Sequence, residues 1–167
     1  GEPFLRKNLI HFLTELNAVP GIQKVNITTN GTLTLPHLDT LKELGMNSVN
    51  LSLDTLDKER FFKITRRDSL DTVMKTYDAL LEKGFDTKIN MVVMEHHNVQ
   101  DIVPMATLAR DANVSIRFIE EMPFNGTGGK AEDALKWNHK AIFNHLEEYF
   151  GTAIPIQSPA GSTSKNF

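Results

Sequence analysis

The sequence predicts an α/β fold made of repeated βα units, arranged as a TIM-like (β/α) barrel or part of one. Short patterns typical of strands recur along the chain, and each interval between them has helical spacing. That order is typical of parallel strands with outer helices. The strand patterns also carry polar residues on one face, whereas parallel strands covered on both faces are apolar throughout. A polar barrel interior explains this face.

The clearest strand pattern covers residues 49–54, where apolar and polar side chains alternate strictly. Alternation places Asn50, Ser52 and Asp54 on one face of the strand and the leucines on the other. An open doubly wound sheet is the alternative fold, but it would place a ligand beyond the strand ends. Polar side chains along the length of the strands therefore favour the barrel.

The other elements are predicted from hydrophobic periodicity and from the residues that begin or end helices and strands. Proline and glycine end the predicted helices at Pro20-Gly21 and Gly45, and Thr29-Asn30-Gly31 is typical of a turn. Asp57 and Ser69 are expected to cap helices. The predicted strands are 23–28, 49–54, 86–93 and 114–119, and the predicted helices are 5–18, 36–44, a short one after residue 57, a longer one over 69–84, 99–111 and 138–150.

One domain is expected over residues 1–150. Residues 151–167, rich in Ser, Pro and Gly, are expected to form a linker or tail. Residues 126–130 fail the phosphate-loop pattern and are interpreted as a flexible loop. The first residue is Gly and not Met, which suggests a chain cut from a longer one.

Composition excludes several classes of protein. A net charge of −3 gives no basic surface for nucleic acid. No apolar run approaches the roughly 18 residues of a membrane span, and no signal peptide precedes the first helix, so a cytoplasmic protein without membrane contact is expected. The histidines show no ligand spacing, and without cysteine the chain offers no thiolate to zinc or an iron-sulfur cluster. No resident metal is expected.

Two cations lie on the polar strand faces. Lys88 has to pair with an anion or act as an amine nucleophile, unless its stem packs and its head reaches water. Arg117 suits planar recognition of phosphate or carboxylate, or a simple pair with Glu120 or Glu121. These residues leave open a barrel lyase or aldolase that uses Lys88 as a Schiff base. A non-catalytic binding module would not explain the polar faces.

Hydroxyl, amide and carboxylate groups lie near the presumed carboxyl ends of the strands. Thr28, Thr29, Asn30 and Ser52 can hydrogen-bond a polar ligand there, although each type is often a cap or turn residue. Asp54 is interpreted as a cap. Glu2 is either an active carboxylate or a surface charge, and Met122 either touches a ligand or fills the core.

Several segments resemble one enzyme family. Gly1-Glu2-Pro3 resembles the end of the G-G-E-P motif of radical S-adenosylmethionine (SAM) enzymes. Segments 27–31, 50–54, 88–90 and 117–123 are similar in order and spacing to the GTP 3',8-cyclases of molybdenum cofactor biosynthesis. The resemblance covers residues 1–123 closely and the remainder loosely. Other radical SAM enzymes share the first two motifs, and segment 117–123 favours the cyclase.

The resemblance implies a partial barrel of the radical SAM type. In this family a four-iron cluster reduces SAM to methionine and a 5'-deoxyadenosyl radical, and the lyase converts GTP to 3',8-cyclo-7,8-dihydro-GTP for a downstream cyclic pyranopterin monophosphate synthase. By motif position, SAM would contact Gly1, Glu2, Ser52 and Met122, and GTP would contact Thr28 and Lys88. Arg117 would lie near the SAM or radical side and is a possible catalytic residue, with Asn30 and Asn90 supporting these groups.

The sequence departs from the family in one respect. The family carries a C-x-x-x-C-x-x-C loop before the G-G-E-P motif and further cysteines in a C-terminal domain, which together hold two 4Fe-4S clusters in the full-length protein. This chain has no cysteine, so we expect it not to catalyse alone. A barrel without its first strands would leave an open edge near residues 23–28, so self-association as a homo-oligomer is expected.

Overall fold

A four-stranded parallel sheet forms the centre of the molecule. The computed structural model describes residues 1–122, 136–157 and 166–167. Its strands are β1 (Ile27–Thr29), β2 (Ser48–Ser52), β3 (Asp86–Val93) and β4 (Val114–Glu120). They lie side by side in sequence order, and each neighbouring pair is parallel. The α/β class and the parallel strands predicted from the sequence are confirmed, and the arrangement fits part of a (β/α) barrel.

Helices fill the connections between the strands. They are α1 (Leu9–Asn17), α2 (Leu38–Glu43), α3 (Lys58–Thr65), α4 (Leu70–Glu82), α5 (Ile102–Asp111) and α6 (His139–Phe150). Short 3-10 turns lie at Pro3–Leu5, Leu35–His37 and Val99–Asp101. Across the described ranges, no helix combines the length and apolar character that a membrane crossing requires.

The core lies between the sheet and the helices. Alternate strand residues, such as Leu51 in β2 and Met91 in β3, are fully buried against the helix layer. A second cluster joins α1, α2 and β1 through Leu13, Leu41 and Ile27. Each such side chain contributes about 1.5–3 kcal/mol when it is removed from water. This apolar face is therefore the one that holds the fold together.

Several predicted boundaries differ from the structure. The predicted strand 49–54 ends at Ser52, and the two larger differences involve the first helix and the first strand. The predicted helix 5–18 is divided, because Asn8 adopts a left-handed conformation with φ of 57° between the first 3-10 turn and α1. The predicted strand 23–28 is reduced to the three residues of β1. In the parallel register Ile27 is opposite Val49, and β2 begins only one residue earlier, at Ser48. Residues before 26 therefore have no residue of β2 opposite them with which to pair.

The two predicted helix caps have different outcomes. Asp57 accepts a hydrogen bond from the Arg60 backbone N–H at 2.8 Å, so its role at the start of α3 is confirmed. Ser69 occupies the N-cap position of α4, but its hydroxyl makes no capping bond and is buried without a partner in the described part of the chain. The prediction for Ser69 was right in position and wrong in contact.

The described part of the C-terminal segment returns to α6. The Ile156 N–H donates to the Asn166 carbonyl at 2.9 Å in an antiparallel bridge. The ring of Phe167 lies 4.6 Å from that of Phe143 in α6. The predicted loop 126–130 lies outside the described residues, as does most of the segment between 157 and 166.

Candidate functional site

The polar face of the sheet is arranged in rows by the parallel register. One row runs from Thr28 through Asn50 and Lys88 to Ser115, the next contains Ser52, Asn90 and Arg117, and Ser48 and Asp86 lie one row toward the amino ends of the strands. None of these side chains is a member of the two apolar clusters. Apart from Thr29, the predicted ligand-contacting residues of β1 to β4 therefore share one face and two adjacent rows.

Glu2 is fixed at the carboxyl end of β1. Its carboxylate accepts hydrogen bonds from the Thr29 hydroxyl at 2.8 and 2.9 Å, from the Asn30 N–H at 2.8 Å and from the Phe4 N–H at 3.3 Å. Three donors orient a charged acceptor strongly. The Glu2 carboxylate is therefore held in one orientation at the end of β1.

Thr29 orients Glu2 and is not itself open to a ligand. Its side chain is 2% exposed, which corrects the expectation that it hydrogen-bonds a ligand directly. A hydroxyl has one proton to donate, and here that proton goes to Glu2. The Thr29 oxygen then accepts from the Thr34 hydroxyl at 2.8 Å and from the Gly31 N–H at 3.0 Å. Every hydrogen-bonding position of this hydroxyl is used.

Asn30 and Gly31 shape the turn that follows β1. The Asn30 side chain accepts from the Thr32 N–H at 3.0 Å and from the Thr32 hydroxyl at 2.7 Å, while its own N–H donates to Glu2. Gly31 has φ of 79°, and a Cβ there would lie 2.7 Å from Leu51 Cδ1. The turn thus requires glycine for both its backbone angle and its close approach to β2.

Asn50 connects three strands across the polar face. Its side-chain N–H donates to Thr28 Oγ1 at 3.2 Å, and its oxygen accepts from an Arg117 N–H at 3.5 Å. The alternation of residues 49–54 predicted that Asn50 lies on the polar face, without a role for it. Its place between Thr28 and Arg117 depends on strand register, which the sequence alone does not reveal.

Arg117 is exposed on this face and does not form the acidic pair suggested for it. Among the described residues, the ion pairs involve neither Arg117 nor Glu121. Glu120 instead accepts from the backbone N–H of His139 at 2.5 Å and contacts its ring nitrogen at 2.9 Å. The bond from the His139 backbone lowers the pKa of Glu120. The guanidinium is therefore available to an anionic ligand.

Lys88 is paired within the chain. Its ammonium binds the carboxylate of Asp86 and donates to Ser48 Oγ at 3.3 Å. The Lys88 side chain is 20% exposed, so its head does not simply reach solvent. The hydrogen bond from Lys88 lowers the pKa of Asp86. The ammonium points toward the amino ends of the strands, away from the row of Ser52.

Three further residues implied by the resemblance lie near the carboxyl ends of the strands. Ser52 is exposed, and Met122 is 73% exposed, so this methionine is not core filler. The side-chain oxygen of Asn90 is buried and receives no hydrogen bond from any described residue. An unsatisfied buried acceptor costs about 1–3 kcal/mol. A donor from a bound ligand would remove that cost.

Asp54 braces the strands and does not cap a helix, which corrects its interpretation. Its carboxylate accepts from the Val92 N–H at 2.8 Å, and burial raises its pKa. The Asn98 side chain donates to the carbonyls of Asp54 and Val92, each at 2.8 Å. The loops after β2 and β3 are therefore tied together beside the site.

The described residues contain no cluster of His, Asp or Glu suited to a metal ion. His96 and His97 are exposed. An iron-sulfur cluster does not fit this donor set, because its ligands are cysteine thiolates and the chain has none. SAM fits this chemistry better, since the Glu2 carboxylate is anchored at the carboxyl end of β1 and a buried amide oxygen of Asn90 lacks a donor among the described residues.

Comparisons with known proteins agree with this geometry. Residues 1–109 match the family model of the radical SAM superfamily. The chain is 36% identical over 174 aligned positions to a GTP 3',8-cyclase, mitochondrial, from Arabidopsis thaliana, with 100% of the chain and 43% of the relative covered. It is 36% identical over 151 positions to a GTP 3',8-cyclase of Saccharophagus degradans, with 90% of the chain and 46% of the relative covered.

A third relative is molybdenum cofactor biosynthesis protein moc-5 of Caenorhabditis elegans, 36% identical over 156 positions, with 92% of the chain and 25% of the relative covered. The chain thus spans less than half the length of these relatives. The family match favours a radical SAM interpretation over an aldolase. The chain belongs to the radical SAM superfamily.

Proposed function

We propose that this chain is the SAM- and GTP-binding part of a GTP 3',8-cyclase that acts in molybdenum cofactor biosynthesis. The observation that carries the proposal is the polar face that runs unbroken from β1 to β4. It brings together residues that the resemblance assigned separately to SAM and to GTP. The names of the relatives support the same activity.

The SAM-binding residues are Gly1, Glu2, Ser52 and Met122. A carboxylate held by three donors suits the ammonium of an amino acid, because the pair is charge-assisted and its acceptor is already oriented. The Asn90 side-chain oxygen, on the polar face of β3, is a buried acceptor that lacks a donor among the described residues. When bound beside a reduced cluster, SAM supplies the radical chemistry of the family.

The GTP-binding residues are Thr28 and Lys88. Thr28 is exposed and its hydroxyl is oriented by Asn50. Asn50 is also the contact of Arg117, so the nucleotide side and the SAM side of the face share one amide. The positive charges of Lys88 and Arg117 complement the negative charge of a nucleotide phosphate.

Catalysis requires a cluster whose thiolates this sequence does not contain. We therefore expect ligand binding by the chain without cyclase activity. Anaerobic treatment with iron and sulfide should give no absorbance in the cluster band and no cleavage of SAM. A chain that gained such a cluster and released 5'-deoxyadenosine would contradict the expectation that this chain cannot catalyse alone.

Binding is tested by calorimetric titration with GTP, guanosine and SAM. GTP should bind saturably and more tightly than guanosine, and Lys88→Gln should weaken GTP about fivefold or more, as expected for a lost contact of at least 1 kcal/mol. Lys83→Gln is the matched control, because Lys83 pairs with Asp39 outside the polar face. Glu2→Gln should weaken SAM selectively. Wild-type chain without saturable binding of GTP and SAM would refute the proposal.

A further inference from the structure

Four polar side chains meet at the amino ends of β2 and β3. The Asp86 carboxylate binds the Lys88 ammonium, accepts from the Ser48 hydroxyl at 3.1 Å and lies 3.9 Å from the Lys24 ammonium. The Ser48 hydroxyl oxygen also accepts from Lys88 at 3.3 Å. The carboxylate is thus the centre of the group, with two cations and one hydroxyl around it.

The contacts with Asp86 and Ser48 occupy most of the hydrogen-bond donors of Lys88. An ammonium has three N–H donors, and two of them are directed at Asp86 and Ser48. Yet the register places Lys88 opposite Asn50, in the row that contains Thr28. The backbone of Lys88 therefore lies in the row of Thr28 and Asn50. Its ammonium is bound one row away, by Asp86 and Ser48.

We propose that Asp86 is a positioning residue that binds the Lys88 ammonium when no nucleotide is present. The Asp86 carboxylate then competes with the phosphates of the nucleotide for this ammonium. This inference rests on the proposed GTP-binding role of Lys88. A lysine stem has four flexible carbons, so the ammonium can move from Asp86 to a ligand over the Thr28 row. Ligand affinity then depends on the cost of breaking the internal pair.

The surroundings of Asp86 keep that cost small. Its side chain is 52% exposed, and a cavity of about 260 Å³ adjoins it, lined by Asn17, Lys24, Asn47 and Ser48 among others. When Lys88 leaves, Ser48 and Lys24 remain near the carboxylate as donors. Asp86 is therefore not left buried and unpaired, which is the costly outcome of breaking an ion pair.

The test compares the binding of inorganic tripolyphosphate and of GTP to the wild-type chain and to Asp86→Asn by calorimetry. Removing the internal competitor should tighten both ligands about threefold to tenfold, since a partly exposed pair is worth up to about 1 kcal/mol and the carboxylate also repels the ligand. The gain should persist in Lys24→Gln and disappear in Lys88→Gln. Asp39→Asn, which removes the same charge beside Lys83, should produce no gain.

The outcomes separate this inference from the proposed function. Tighter tripolyphosphate binding without any GTP binding keeps the role of Asp86 and refutes the GTP site. GTP binding that Asp86→Asn leaves unchanged or weakens keeps the GTP site and overturns the role of Asp86. A gain that survives Lys88→Gln, or that Asp39→Asn reproduces, also overturns it, as does failure of tripolyphosphate to bind either chain. Asp86→Ala, checked for folding by circular dichroism, should repeat the result.

Discussion

Adjacent threonines at the end of β1 have separate functions because successive strand residues face opposite ways. Thr28 is exposed on the polar face, whereas Thr29 is buried and holds Glu2, Thr34 and Gly31. Their sequence neighbourhood is the same, so residue type alone did not distinguish the ligand contact from the residue that orients a contact. The strand's parity and boundary decide it.

Replacing Thr29 by Val should destabilise the fold by about 1–3 kcal/mol, because three polar partners, of which Thr34 and Gly31 are buried, lose one hydroxyl. Thr28→Val is the matched control and should change the free energy of unfolding by less than about 0.5 kcal/mol. Urea unfolding followed by circular dichroism measures both. Equal effects of the two variants would show that the Thr29 contacts do not stabilise the native state.

Asp54 gives the fold a pH dependence of defined sign. Burial raises its pKa above the usual 3.8, so its contribution to stability is fully present below that value and is lost as pH rises through the raised pKa. Asp54→Asn keeps an oxygen for the Val92 N–H and does not ionise. The free energy of unfolding of the wild type, minus that of the variant, should therefore fall with pH in this window. A difference that stays constant in urea titrations across the window would contradict it.

At the scale of the element, the turn after β1 joins the strand to the core. Gly31 allows the chain to reverse beside Leu51 and Val73, and its carbonyl accepts from the buried Thr76 hydroxyl at 2.7 Å. The sequence predicted this turn from Thr29-Asn30-Gly31. It did not predict the approach to α4, because that approach depends on tertiary packing.

Gly31→Ala should lower the free energy of unfolding by about 1–3 kcal/mol more than Gly45→Ala does. Both glycines have positive φ, 79° and 73°, but a Cβ at residue 45 meets nothing within 4 Å. The difference between the two variants isolates the steric contact with Leu51. Similar thermal unfolding of both variants would show that backbone strain alone explains the glycine.

The elements themselves were largely predictable. Period and capping located the four strands and six helices. The boundary errors are largest at Asn8 and β1, where left-handed backbone and strand pairing decide the boundary. The site was predictable as a face, since polar parity marked Ser52, Lys88 and Arg117. Its internal pairing was partly readable, because Asp86 and Lys88 are two apart on a strand and share a face. The bridge made by Asn50 required the register.

At the scale of the whole molecule, the sheet ends in two outer strands, β1 and β4. An outer strand that presents unpaired backbone groups is a template for pairing with another chain. A groove beside β1 is lined mainly by apolar side chains of α1, including Leu9, Phe12 and Leu16. These features keep self-association as a prediction.

Sedimentation velocity over a range of concentrations should show a mass that rises above that of one chain of 18.8 kDa. Phe12→Glu, which places a charge on a side chain that is 40% exposed in the groove, should shift the equilibrium toward the monomer. His11→Glu on the same helix is a control outside the groove lining. A single monomeric species at all concentrations would contradict the prediction.

The alternation of each strand has a consequence for how this protein tolerates sequence change. In β3 the residues Thr87, Ile89, Met91 and Val93 are buried, while Lys88, Asn90 and Val92 between them are only partly so. A saturation-mutagenesis profile of this strand should therefore alternate with a period of two. Substitutions at the buried positions should lower the abundance of the protein in the cell, and substitutions at the partly buried positions should change ligand affinity. Selection can then change the ligand contacts of the polar face with little effect on the stability of the fold.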